Sequence, residues 1–173
     1  MPRGPQRSDD NVAQVPLPFA FRYWSTGFVA GTMISLTPNG SVVMNTATNA
    51  GDRTPLGSPM LPNFVIGPYY RDQLNRGPQC VVTVGTAPTR RWVNQWNDAA
   101  NCCALPDFMM IHLTYEVILH EGSNVIDFVY QRLDGARPGY IGLENDTGMM
   151  SVQPSPGLTT PMVGRNYRFT PIP

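Results

Sequence analysis

The chain has 173 residues, the length of one domain with a sizeable core, and its 18 prolines and 16 glycines speak for short strands and punctuated turns rather than long helices. Twelve basic residues, all arginine, balance twelve acidic ones, so no basic face is on offer to displace counterions from phosphate, and nucleic-acid binding is not expected. No run approaches the roughly 18 to 20 apolar residues of a membrane-spanning helix, and the opening MPRGPQRSDDN lacks the apolar centre of a secretory signal, so the expectation is a soluble chain without membrane insertion.

Residues 1–16 are polar and proline-rich and read as an arm or linker, followed by a single domain over 17–173. From Leu17 the apolar runs are short. They are LPFAFRYW (17–24), GFVAGTMISLT (27–37), SVVMN (41–45), NFVIGPYY (63–70), QCVVTVG (79–85) and RRWVNQW (90–96). FMMIHLTYEVIL (108–119), NVIDFVY (124–130), GYIGLEN (139–145), MMSVQ (149–153) and NYRFTP (166–171) complete the series, each bounded by Gly, Pro, Asn or Asp. Asn39-Gly40 supplies a tight-turn pair, and Gly85–Thr89 separates Val82 and Val84 from Trp92 and Trp96.

Alternation is clearest over 108–130. Met109, Ile111, Leu113, Tyr115, Val117 and Leu119 share one parity and form one apolar face of an extended strand, while His112, Thr114 and Glu116 take the other. After the Glu121–Asn124 turn, Ile126, Phe128 and Tyr130 make the matching inner face of an antiparallel hairpin. About ten strands with no convincing helix imply an all-β fold, an antiparallel two-sheet β-sandwich of jelly-roll type.

Several phrases in order carry a resemblance: LPFAFRYW, SLTPNGSVVMN, LPNFVIGPYYRDQL, VTVGTAPTRRWVNQWND, LTYEVILHEGSNVIDFVY, IGLENDTG and the closing NYRFTP. Over roughly residues 17–171 the chain resembles β-sandwich modules of secreted and surface proteins of myxobacteria and related bacteria, distantly similar to the extracellular nidogen-like domain. It departs from them at Tyr69-Tyr70, where a pair containing Trp is commoner, at His120, where Tyr often precedes the turn, and in the inserted ANCCALPD loop (100–107). The resemblance implies a non-catalytic extracellular or cell-surface module and brings no substrate or cofactor with it.

Three cysteines cannot all pair within one chain. A bond from Cys80 to Cys102 or Cys103 would tie a strand to the next loop and leave one thiol free or bridging to another chain, and all three are kept as candidates. A zinc site lacks the Cys-x-x-Cys spacing, a cysteine nucleophile needs a histidine beside it that spacing alone does not place, and no metal is expected. His112 and His120 stand about 26 Å apart along one strand, too far to share an ion. Glu116, Asp127 and Glu144 admit a glycosidase reading but suit solvated sheet positions better. Asp9-Asp10-Asn11 and ENDTG (144–148) carry oxygens without a calcium-loop pattern, and the sequons at Asn39 and Asn145 read as turn residues. Among the aromatic residues, Trp24, Tyr69 and Tyr70 are the candidate contact residues, with His120 at the turn, although most of the set, Trp92 and Trp96 included, belongs in a core.

The function expected is binding or assembly: adhesion or a surface-structure subunit, with a protein or glycan partner, without catalytic residues or cofactor. The alternatives are a self-assembling shell or filament subunit, hence a homo-oligomer, and a carbohydrate-active enzyme using Glu116 and Asp127. The arm and the terminal RFTPIP are candidate docking segments.

Overall fold

A computed structural model describes residues 9–46, 54–102 and 107–172. The fold starts earlier than Leu17, because Ala13–Pro16 (β1) pairs with Met33–Thr37 (β4), and Ala13 and Val15 pack against the core. Phe21–Tyr23 (β2) and Thr26–Phe28 (β3) make a separate two-stranded ribbon. Ser41–Val43 (β5), Val65–Tyr70 (β6), Gln73–Asn75 (β7), Gln79–Val84 (β8) and Arg91–Asn101 (β9) follow. A helical turn at Asp107–Met110 (α1) then leads into His112–His120 (β10), Ile126–Asp134 (β11), Tyr140–Glu144 (β12), Ser151–Val152 (β13) and Tyr167–Phe169 (β14).

One sheet runs β1-β4-β5-β6-β12-β13 and the other β14-β11-β10-β9-β7, with β8 also on β9. Every ladder among the described residues is antiparallel. The protein is therefore all-β with two facing sheets, and its strand order is compatible with a jelly roll. Ile34, Leu36, Val42 and Ile66 of one sheet meet Trp92, Trp96, Val117 and Phe128 of the other, all buried. A smaller cluster of Val43, Leu56, Val65 and Tyr70 lies on the far face of the first sheet, beneath the segment that carries Leu56.

The expected long hairpin is present and carries Leu113, Tyr115, Val117 and Leu119 opposite Ile126, Phe128 and Tyr130, with a bulge between Thr114 and Tyr115 that leaves Gln131 outside the register. Met109 does not join that face. It sits in α1 with an exposed side chain, because the β10–β9 ladder ends at Leu113–Ala99 and the chain before β10 turns helical.

Two buried polar links bind the layers. The β4–β5 turn carries Asn39, fully buried, whose Oδ1 accepts from Gln73 N at 2.8 Å and whose carbonyl accepts from Arg71 N at 3.1 Å. Gln73 Nε2 donates to Tyr69 O at 2.7 Å, and its Oε1 accepts from Tyr115 Oη at 2.8 Å. Beside it, Trp96 Nε1 donates across the sandwich to Thr37 O at 2.8 Å, and the Trp96 and Tyr115 rings stack at 4.9 Å. On the other face of the first sheet, Glu144 is buried under the Leu56–Ser58 segment and accepts from Gly57 N at 2.7 Å. Burial outweighs those backbone donors and raises its carboxyl to about 7.

Gly40 has φ +72°, and a Cβ there would lie 1.9 Å from Tyr69 O. Gly40→Ala should cost about 3 kcal/mol or more, read as a collapse of the urea midpoint, since neither the turn nor β6 has room to yield. Glu144, with its carboxyl raised in the folded state, contributes most stability below the ordinary value of 4.5 and loses that contribution as pH rises through about 7. Glu144→Gln should flatten that limb of the stability profile, giving a higher melting temperature than the parent on the alkaline side and little difference in mild acid.

Candidate functional site

The two sheets are closed together at the Asn39 end but leave opposite free edges elsewhere. Among the described residues β13 pairs only with β12 and β14 only with β11, and a groove of about 540 Å³ lies between the strands they end on. Its floor is Tyr23, Ile126 and Leu143, all buried. Tyr23 is fixed there because its hydroxyl donates to Val65 O at 2.6 Å and accepts from Glu144 N at 3.1 Å. Val152 forms one rim, half exposed, while the stretch from Arg168 to Ile172 forms the other, with Ile172 almost fully exposed. Phe169 anchors that rim by packing on Phe128, ring centroids 4.9 Å apart.

The β2–β3 ribbon closes one side. Arg22 N donates to Asn124 Oδ1 at 2.8 Å, which joins the ribbon to the β10–β11 turn, and Trp24 stands at the ribbon's own turn with φ +53°. Its ring meets that of Tyr23 edge to face at 6.5 Å. Among the described residues two guanidinium groups line the groove and no carboxylate does. Arg168 is neutralised: Nε and Nη2 donate to the two oxygens of Asp127 at 2.7 and 2.8 Å, and His120 Nε2 approaches Asp127 Oδ2 at 2.8 Å. The Arg168 guanidinium, with His120 assisting, holds the Asp127 carboxyl below the usual carboxylate range. Arg22 has no ion pair among the described residues and reaches solvent.

Of the contact residues expected from sequence, only Trp24 lines the groove. Tyr69 and Tyr70 are not contact residues. Tyr69 is fully buried, donating its hydroxyl proton to Arg137 O at 2.6 Å, and Tyr70 fills the smaller cluster, because both hang from a strand covered on both faces. His120 is spent on Asp127, and His112 on Asp98, with Nδ1 2.6 Å from Oδ1. Glu116 accepts from Gln95 Nε2 at 2.7 Å, and Asn39 lies in the interior, where no sugar has access to it.

Cys80 is a free thiol, half-buried on β8, so the expected bond from it to Cys102 or Cys103 is not formed. β8 pairs with the first part of β9, whereas Cys102 follows the far end of that strand. Cys102 is disulfide-bonded, and Cys103 lies outside the described residues. Asp9, Asp72 and Cys102 bring three potential ligand atoms within 4.8 Å of one another, yet a disulfide sulfur is no thiolate and does not complete a metal set. The Asn145 and Thr147 side chains of ENDTG bond each other at 3.0 Å rather than converging on an ion. Sequence reasoning did not single out Arg22 or Val152, whose place at the site follows from the meeting of two sheet edges. The segment RFTPIP was singled out, and its residues from Arg168 to Ile172 form the rim.

No helix among the described residues is long and apolar enough to cross a membrane. The family described as NIDO related matches residues 4–171. Neither the curated proteins nor the solved structures contain a match to the chain.

Asp127, whose carboxyl is lowered in the folded state, contributes stability above the ordinary aspartate range that is lost as pH falls through its titration. Asp127→Asn should therefore reduce the urea midpoint at neutral pH by loosening β14, and the two proteins should converge once acid has protonated the parent carboxylate.

Proposed function

The chain belongs to the NIDO-related family, and from that premise we propose that it is a non-catalytic, extracellular-type binding module whose working surface is the groove between β13 and β14. The observation that carries this reading is the pairing of a concave apolar floor with two free strand edges on a chain in which Tyr69, Tyr70, Trp92 and Trp96 are interior. Binding here means burying Val152, Ile172 and the exposed part of Trp24 against a partner, with Arg22 setting the polarity of what fits.

The carbohydrate-active alternative finds less support. Glycoside hydrolysis needs one carboxyl that gives up a proton and another that attacks or activates water. Asp127 instead sits in a two-pronged arginine clamp that lowers its proton affinity, and Glu116 is engaged by Gln95. Self-assembly through the same free edges is the second reading, and it has the edges themselves in its favour.

The deciding experiment is a screen of glycans and of extracellular proteins against the parent chain and Val152→Asp, with light scattering on both. A ligand retained by the parent and lost by at least tenfold in the variant is the expected result. Binding indifferent to the variant, or a chain that retains nothing, would remove the groove from consideration. A mass above that of the monomer, lowered by Val152→Asp, would favour assembly.

A further inference from the structure

Resting on the groove as the binding surface, we propose that its occupant is an extended peptide segment of a partner protein, added as a strand along the free edge of β14, with an acidic side chain of that segment on Arg22. β14 is three residues long and bonded on one side only, through the register Ile126–Phe169, Asp127–Arg168 and Phe128–Tyr167. Its other side offers backbone N–H and C=O groups at the groove, which are strong obligatory partners when a neighbour excludes water from them. Pro171 lacks an N–H and ends that edge, so the added strand pairs over only a few residues.

The side chains of β14 set the pattern of the incoming segment. Phe169 and Tyr167 face the core, against Phe128 and Tyr130, while Arg168 lies on the outer face with Asp127. A strand paired alongside must alternate in the same way, placing every second side chain in the groove near Trp24, Val152 and Ile172 and the rest towards solvent. The inward positions are therefore apolar. Charge selects further: Arg168 is already matched by Asp127, whereas among the described residues the Arg22 guanidinium has no ion pair and no carboxylate lines the groove. A carboxylate on the segment completes it with a planar, two-pronged pair.

A second copy of this chain is the poorer occupant. Antiparallel pairing of two β14 strands about their centre brings Tyr167, Arg168 and Phe169 against the same three residues of the second copy and so offers no carboxylate to Arg22. A glycan is poorer too, since stacking platforms are scarce once Tyr69 and Tyr70 are interior.

The test uses the full chain, isotope-labelled, titrated with a capped hexapeptide of alternating Val and Glu, its Val–Lys counterpart, and a Val–Glu version N-methylated at alternate residues. The expected result is that the Val–Glu peptide shifts the backbone amides of Arg22 and of Arg168 to Thr170, and binds about tenfold more weakly to Arg22→Gln, the worth of one charge-assisted hydrogen bond. The Val–Lys and N-methylated peptides should bind at least tenfold more weakly to the parent. Arg132→Gln, an exposed arginine paired with Asp134 away from the groove, should leave binding unchanged. Equal binding of the Val–Lys or N-methylated peptide overturns the proposal, as does a shift pattern away from β14. Absence of peptide binding, beside a screened ligand that Val152→Asp abolishes, overturns the strand-addition mode while leaving the groove as the binding surface. A dimer whose dilution shifts map to β14 assigns the edge to a second copy and overturns it as well.

Discussion

The buried amide of Gln73 is the contact on which the two layers agree. It lies on β7, in the sheet that carries Tyr115, and bonds Tyr115 Oη and, across the sandwich, Tyr69 O, while the backbone N of the same residue donates to Asn39 Oδ1 in the turn of the other sheet. Every polar atom of that side chain is paired, which is the condition under which burying an amide costs little and fixes one arrangement out of many. The close approach explains Gly40, the only residue type that fits under Tyr69 O, and the depth at which Trp96 meets Thr37. At this end the sheets are locked in register by directional bonds rather than by apolar contact alone.

The same locking leaves the opposite flank open. There the sheets end in β13 and β14, two and three residues long, and neither sheet supplies another strand among the described residues. Short edges are one of the ways in which β proteins limit unwanted pairing, and here Pro171 and the Arg168–Asp127 clamp limit it further. What remains is a groove of about 540 Å³. The β2–β3 ribbon, tied to the long hairpin through Arg22 and Asn124, roofs one side and turns an open flank into a site. The molecule is thus divided between polar closure at one end and free strand edges at the other.

The acidic side chains illustrate how position overrules chemistry. Glu144, Asp127 and Glu116 look alike in sequence. One is buried under a loop with its proton affinity raised, one is clamped by arginine with its proton affinity lowered, and one bonds an amide on the next strand. None of these environments is written in the residues beside them, since each is made by a segment distant along the chain: Gly57 for Glu144, Arg168 for Asp127, Gln95 for Glu116.

Period-two alternation across Leu113–Leu119 and Ile126–Tyr130 was legible because each strand has one covered face, and the Asn39-Gly40 and Glu121–Asn124 turns because few residues accept the backbone they need. β7 was not legible: its Gln-Leu-Asn is polar to the eye, yet Gln73 and Asn75 are interior, Gln73 satisfied by Asn39 and Tyr115 far along the chain and Asn75 bonded to the equally buried Gln79. Tyr69 and Tyr70 misled for the related reason that a strand covered on both faces presents no alternation to read. The amino-acid sequence by itself determined an all-β chain, most of its strands and its principal hairpin, because these follow from local periodicity and turn chemistry. Which aromatics are interior, which carboxylate is clamped and where the groove opens were decided only by the tertiary structure, because each depends on strand edges and side chains that meet only when the sheets close.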